Sequence, residues 1–143
     1  MERARIDISR HIDGEIVVFA CFDLDEREAA ASAHAIAATG VERFRTSAMS
    51  ADEVLELREL TALADELRER ARGHGLRTIA LRPGRLSVYR CAITRFVETR
   101  DESDWIRDED REPVALLRGM LLPLEQLCAE AMRAALAPEQ RIR

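Results

Sequence analysis

The sequence predicts a single α+β domain with elements in the order ββαβαββα and a mixed sheet of about five strands carrying packed helices. Three observations predict it. Strand-like apolar runs occupy residues 5–22 and 76–98, and each is interrupted by a two-residue turn signal, Asp13-Gly14 and Pro83-Gly84. Between and after them, apolar residues recur at three- and four-residue spacing, the period of a half-buried helix. The 143 residues suit one domain, 1–143, able to bury about two thirds of its unfolded surface without a disulfide or metal.

In the first hairpin, a two-residue turn at Asp13-Gly14 sets Ile8 opposite Phe19 and Ile6 opposite Cys21. The first strand alternates polar and apolar, whereas the second is apolar on both faces, so the pair reads as an edge strand beside an interior strand. Asp23-Leu24-Asp25-Glu26 has the spacing of a capping box with Asp23 as the cap. An Ala-rich helix follows, with Gly40 as its C-terminal stop and VERFRTS (41–47) as a short strand. Ser50 and Glu53 form a second capping box, opening a helix whose buried stripe is Leu57, Leu60, Leu63, Ala64, Leu67 and Ala71. Gly73-His74-Gly75 ends it.

The second hairpin turns at Pro83-Gly84 and sets Ile79 opposite Val88 and Leu81 opposite Leu86. Residues 101–112 form an acidic connection or a short helix around Trp105-Ile106, and Pro113 suits the first position of the last helix. Gly119 and Pro123 predict a kink or a break within that helix, and residues 138–143 form a frayed tail. The two βαβ-type connections, from the first hairpin to strand 41–47 and from that strand to the run starting at residue 76, are read as parallel crossovers.

Several functions are disfavoured by composition. A net charge of −5 and a pI near 5.3 argue against nucleic acid or an anionic membrane as partner. All 22 basic residues are Arg, so no Schiff-base lysine and no P-loop lysine exists. No apolar run approaches the roughly 20 residues that cross a bilayer, and the first ten residues lack a signal-peptide core. Cys21, Cys91 and Cys128 are isolated among apolar neighbours and read as reduced core thiols of a cytoplasmic protein. His11, His34 and His74 lie too far from them in sequence to form a zinc motif, and no metal or cofactor is expected.

Two family patterns bear comparison. The apolar run ending in Asp23-Leu24-Asp25 resembles the setting in which haloacid-dehalogenase-type phosphatases present their nucleophile. Glu26-Arg27 stand where that family carries Gly-Thr, and its lysine is missing, so the pattern is read as a cap. Residues 41–82 resemble part of an anti-sigma-factor antagonist (STAS) domain, with Ser47 or Ser50 before a helix. The Asp-Ser-Ser-Gly-like signature is absent, and no family is assigned.

No acid–base pair, nucleophile triad, phosphate loop or metal cluster is legible, so the favoured function is non-enzymatic protein–protein contact, with a homo-oligomer expected. Leu117, Met120, Leu121, Leu124, Leu127 and Met132 supply its expected interface, because the last helix carries more large apolar side chains than one packing face needs. The alternative is a small anionic-ligand binder or enzyme built on the hairpin 76–100. There Arg77, Arg85, Arg90 and Arg95 would hold the anion, with Tyr89 and His74 as polar accessories.

Overall fold

The structure, a computed structural model, describes residues 1–46, 48–73 and 77–136, without the side chains of residues 44–46. Strands β1 (Glu2–Arg10) and β2 (Ile16–Leu24) form the expected N-terminal hairpin. Its loop is one residue longer than a two-residue turn. His11 and Glu15 close it through His11 N–H donating to Glu15 O at 2.8 Å, and Gly14 takes φ +86°. The register therefore pairs Ile6 with Ala20 and Ile8 with Val18, one residue off the expectation, which moves every side chain to the other face. β1 is exposed except at half-buried Ile6 and Ile8, whereas β2 is buried over most of its length on both faces.

Helix α1 (Glu26–Thr46) is capped by Asp25, not Asp23. Glu28 N–H donates to Asp25 Oδ1 at 2.7 Å, and Asp25 N–H returns a bond to Glu28 Oε1 at 3.1 Å. The capping spacing occurs twice in Asp23–Glu28, and the strand claims the first copy. Asp23 is the last-but-one residue of β2, where its carboxylate accepts from Thr78 Oγ1 at 2.7 Å and faces Arg3 and Arg5.

α1 runs through the segment 41–47 expected as a strand, as far as Thr46; Ser47 lies outside the described residues. Gly40 is an interior position. A Cβ there would stand 2.8 Å from Leu57 Cδ1, so this glycine marks close approach to helix α2 (Ala51–Ala71) and does not end a helix. Ala29, Ala31, Ser32, Ala33 and Ala35 are buried around most of α1, and these small side chains let neighbouring helices pack on several sides. The Ser50–Glu53 box caps α2, and Leu60, Leu63, Ala64 and Leu67 form its buried stripe. His74 to Leu76 lie outside the described residues.

The second hairpin is replaced by a strand and a helix. β3 (Arg77–Leu81) pairs antiparallel with β2, setting Ile79 against Phe22 and Leu81 against Ala20. Pro83 then occupies the first turn of α3 (Pro83–Asp101), where its fixed φ suits the helix and its missing N–H costs nothing. Leu86, Tyr89, Ala92, Ile93, Phe96 and Val97 are the buried positions, a helical period. The five-stranded mixed sheet is thus corrected. Among the described residues there are three strands, all antiparallel, in the order β1-β2-β3, and the element order is ββααβααα. Two helices in succession return the chain to β3 in the reverse direction, so no parallel crossover forms.

Helix α4 (Asp108–Arg118) begins five residues before Pro113, which sits inside it, and α5 (Leu121–Leu136) follows the expected break. Pro123 falls in the first turn of α5. α5 packs against β1, β2 and α3. The core joins Phe22 and Leu24 of the sheet to Ile36, Leu67, Tyr89, Phe96, Leu117 and Leu124. Residues 137–143, including the expected frayed tail, lie outside the described residues.

Candidate functional site

A cleft of about 640 Å3 opens between α1, the end of α3 and the start of α4. α1 lines it with His34, Ala37, Ala38, Val41 and Glu42, whose three- and four-residue spacing puts them on one face. α3 supplies Thr99 and Arg100, the connection supplies Ser103, Trp105, Ile106 and Arg107, and α4 supplies Asp110.

The floor is a closed ionic network. Asp110, 5% exposed, is held by His34 Nε2 at 2.6 Å from Oδ1 and by Arg100 Nε at 3.3 Å from Oδ2. Arg100 Nη2 also reaches Glu42 Oε1 at 2.8 Å, and its guanidinium stacks 4.3 Å from the Phe96 ring centroid. His34 meets the same ring edge-on at 5.7 Å. Burial pushes the Asp110 carboxyl upward, but the His34 bond and the bond to and charge of Arg100 outweigh it and leave it below its ordinary value. Its place in the first turn of α4 also favours the anion. For Arg100, burial disfavours the cation, and Glu42 followed by Asp110 more than restores it. With Asp110 ionised, His34 Nε2–H is the donor.

The floor binds itself. The hydroxyls above it are committed too: Thr99 Oγ1 donates to Arg95 O at 2.9 Å, and Ser103 Oγ donates to Thr99 O at 2.9 Å. Among the described residues, no group of three or more His, Cys, Asp or Glu side chains could hold a metal ion. What the cleft leaves open is its apolar rim. Trp105 is 72% exposed and Val41 52% exposed.

The sequence-predicted anion site does not assemble in one place. Arg85, Arg90 and Arg95 lie five apart on a helix, so each is turned about 140° from the last. Arg85 pairs with Glu59 of α2, Arg90 lies near enough to Cys128 of α5 to oppose, without cancelling, the upward push of burial on that thiol, and Arg95 lines a groove with Gly40 and Leu57. Arg77 opens β3 opposite Leu24, and His74 lies outside the described residues. Tyr89 is buried, stacked 5.9 Å from Phe22, with its hydroxyl 2.7 Å from Ser32 Oγ; burial drives its pKa upward. Of the three cysteines, Cys21 is buried, Cys128 half-buried and Cys91 exposed on α3, so only Cys21 is fully core.

The residues named as an interface divide sharply. Leu117, Met120, Leu124 and Leu127 are at most 1% exposed and belong to the core of this chain. Leu121 is half-buried, and Met132 keeps 48% exposure. The stripe that looked too large for one packing face is used by two strands and a helix together.

His34, Glu42, Arg100 and Asp110 were not singled out as a site from sequence. Two signals were present: a lone histidine within an alanine run, and a His–Glu pair eight apart on one helix face. Their meaning depended on a partner 76 positions from His34. Among the described residues, no helix is long and apolar enough to cross a membrane. Compared with known proteins, the chain matches no family model, no curated protein and no solved structure.

Proposed function

We propose that this chain is a non-enzymatic protein that works by protein–protein contact, and that the Trp105 cleft is a contact site for a protein partner. The observation that carries this reading is the exposure of the lone tryptophan beside exposed Val41, on the rim of a cleft whose charges are already paired. Tryptophan and arginine are the residue types that most often anchor interfaces. Covering the exposed part of such a ring removes on the order of 150 Å2 from water, worth about 4 kcal/mol. The floor adds no uncompensated charge when water leaves. Reduced thiols and a cytoplasmic setting belong to the same proposal, and a second copy of the chain is among the partners it includes.

A second reading, a small polar ligand in the cleft, is favoured by the volume of about 640 Å3 and by partly exposed His34 fixed by Asp110. One experiment separates the two. The wild-type chain and the Trp105→Ala and Val41→Asp variants are immobilised, and the proteins retained are quantified. Native mass spectrometry of the wild type and His34→Ala reports any bound small molecule. A protein retained by the wild type and lost from both rim variants supports the contact reading. Equal retention by wild type and Trp105→Ala overturns it, and a small molecule lost from His34→Ala supports the second reading.

A further inference from the structure

We propose that strand β1 is a homodimer edge. Two copies of the chain would pair β1 antiparallel about a two-fold axis at Ile6, joining two three-stranded sheets into one of six strands. The inference concerns a different surface from the cleft.

β1 is an outer strand of the sheet, and among the described residues its far edge pairs with no other strand. A nine-residue edge strand is a template for strand addition, and proteins that do not use such an edge blunt it. Here the backbone irregularity is confined to one end, and the charges along the rest of the strand are of both signs. The bulge between Glu2 and Arg5, with Arg3 at φ 50°, precedes a regular ladder from Arg5 to Arg10.

The side chains along this edge complement their own reversed copy. With Ile6 facing Ile6 of the second copy, Arg5 faces Asp7 and Asp7 faces Arg5. Ala4 faces Ile8, and Glu2 faces Arg10 at the bulged end. No like charges stand directly opposite. A two-fold axis normal to the sheet admits only shifts of the centre by whole residues, since opposed side chains must share a face. Moving the centre to Arg5 sets Arg5 against Arg5, and moving it to Asp7 sets Asp7 against Asp7. Both neighbouring registers therefore oppose like charges at the axis, and centring on Ile8 sets Asp7 against Ser9 and Ile6 against Arg10 without forming an opposite-charge pair, so the Ile6 register is favoured. Within the chain, Glu2, Asp7 and Arg10 form no ion pair among the described residues, and Arg5 reaches Asp23 only at 4.0 Å. Half-buried Ile6 and Ile8 would complete their burial against the second copy's apolar residues.

A charge-swap series tests this on the full chain, with mass measured by light scattering and sedimentation across a concentration range, and folding checked by circular dichroism. The wild type is expected to dimerise, and more weakly at high salt. Arg5→Asp and Asp7→Arg each create like-charge opposition and are expected to weaken the dimer at least tenfold. Mixing these two variants, or combining both changes in one chain, restores the opposite-charge pairs and should restore the dimer. Asp7 is exposed and forms no ion pair among the described residues, so Asp7→Arg leaves the core untouched; Arg5→Asp also sets a carboxylate near buried Asp23, and circular dichroism with the mixed-variant rescue separates that effect from loss of the dimer. A wild type that stays monomeric at high micromolar concentration overturns the proposal, as does a dimer unaffected by either single change or not rescued by the mixture. A monomeric chain that still loses its protein partner on Trp105→Ala would sink the β1 edge alone and leave the cleft reading standing.

Discussion

His34 Nε2 and Asp110 Oδ1 lie 2.6 Å apart and join α1 to the first turn of α4 across 76 positions of sequence. This bond, with Arg100 on the other carboxylate oxygen, holds the floor of the cleft and the loop that presents Trp105.

Asp110 gives the network a pH dependence of definite sign. Its carboxyl titrates below the ordinary 3.8 when the chain is folded. The folded state therefore holds the proton less tightly than the unfolded one. The resulting stability is complete above the unfolded value and is lost as pH falls through the folded one. Asp110→Asn should cost about 2 kcal/mol at neutral pH, because His34 and Arg100 lose a charged acceptor. In urea unfolding across a pH series, the gap between wild type and variant should narrow as pH drops below about 4. A gap that stays constant into acid would show that the charge does not carry the network.

The N-terminus of α1 offers a test that separates two neighbouring aspartates. Asp25→Ala should cost about 1 kcal/mol and Asp25→Asn only a few tenths, the ordinary response of a helix cap. Asp23→Asn removes the charge facing Arg3 and Arg5 but keeps an acceptor for Thr78. Asp23→Ala removes both and should cost more than Asp23→Asn. Denaturation midpoints of the four variants decide the matter; a tolerant Asp25→Ala beside a cap-like Asp23 series would return the cap to Asp23.

Two glycines should respond to alanine for different physical reasons. Gly14, at φ +86°, has open space around a Cβ but a backbone that alanine adopts at a cost of about 1 kcal/mol. Gly40 has ordinary helical backbone and a tight neighbour, the tip of Leu57. There the gain of about 1 kcal/mol in helix propensity is set against turning that half-buried side chain aside. Gly40→Ala should therefore stay within about 1 kcal/mol of wild type, while Gly40→Leu should force α1 and α2 apart and lower the thermal midpoint by several degrees. A Gly40→Ala variant as damaged as Gly40→Leu would mean that Leu57 cannot move.

Some of this architecture was legible in the residues alone. Asp13-Gly14 placed a hairpin, the polar–apolar alternation from residue 5 marked an edge strand, the Ser50–Glu53 box opened α2, and Gly119 with Pro123 marked the interruption between the C-terminal helices. These are local signals: each depends on backbone angles or side-chain bonds within a few residues. Other elements were ambiguous locally and were decided by packing. A proline–glycine pair suits a hairpin turn or the first turn of a helix. Residues 83–98 became a helix because Leu86, Tyr89, Ile93 and Phe96 then reach one core together. Gly40 suits a helix end or a close helix contact, and α2 chose the second. The hairpin register turned on a single extra loop residue, which local turn preferences do not resolve. The cleft was wholly tertiary. His34, Arg100 and Asp110 sit on three elements, and a hydrogen bond between residues 76 apart leaves no periodicity in the chain that makes it. Only the packing of α1 against α3 and α4 brings them within reach, and only that packing leaves Trp105 facing water.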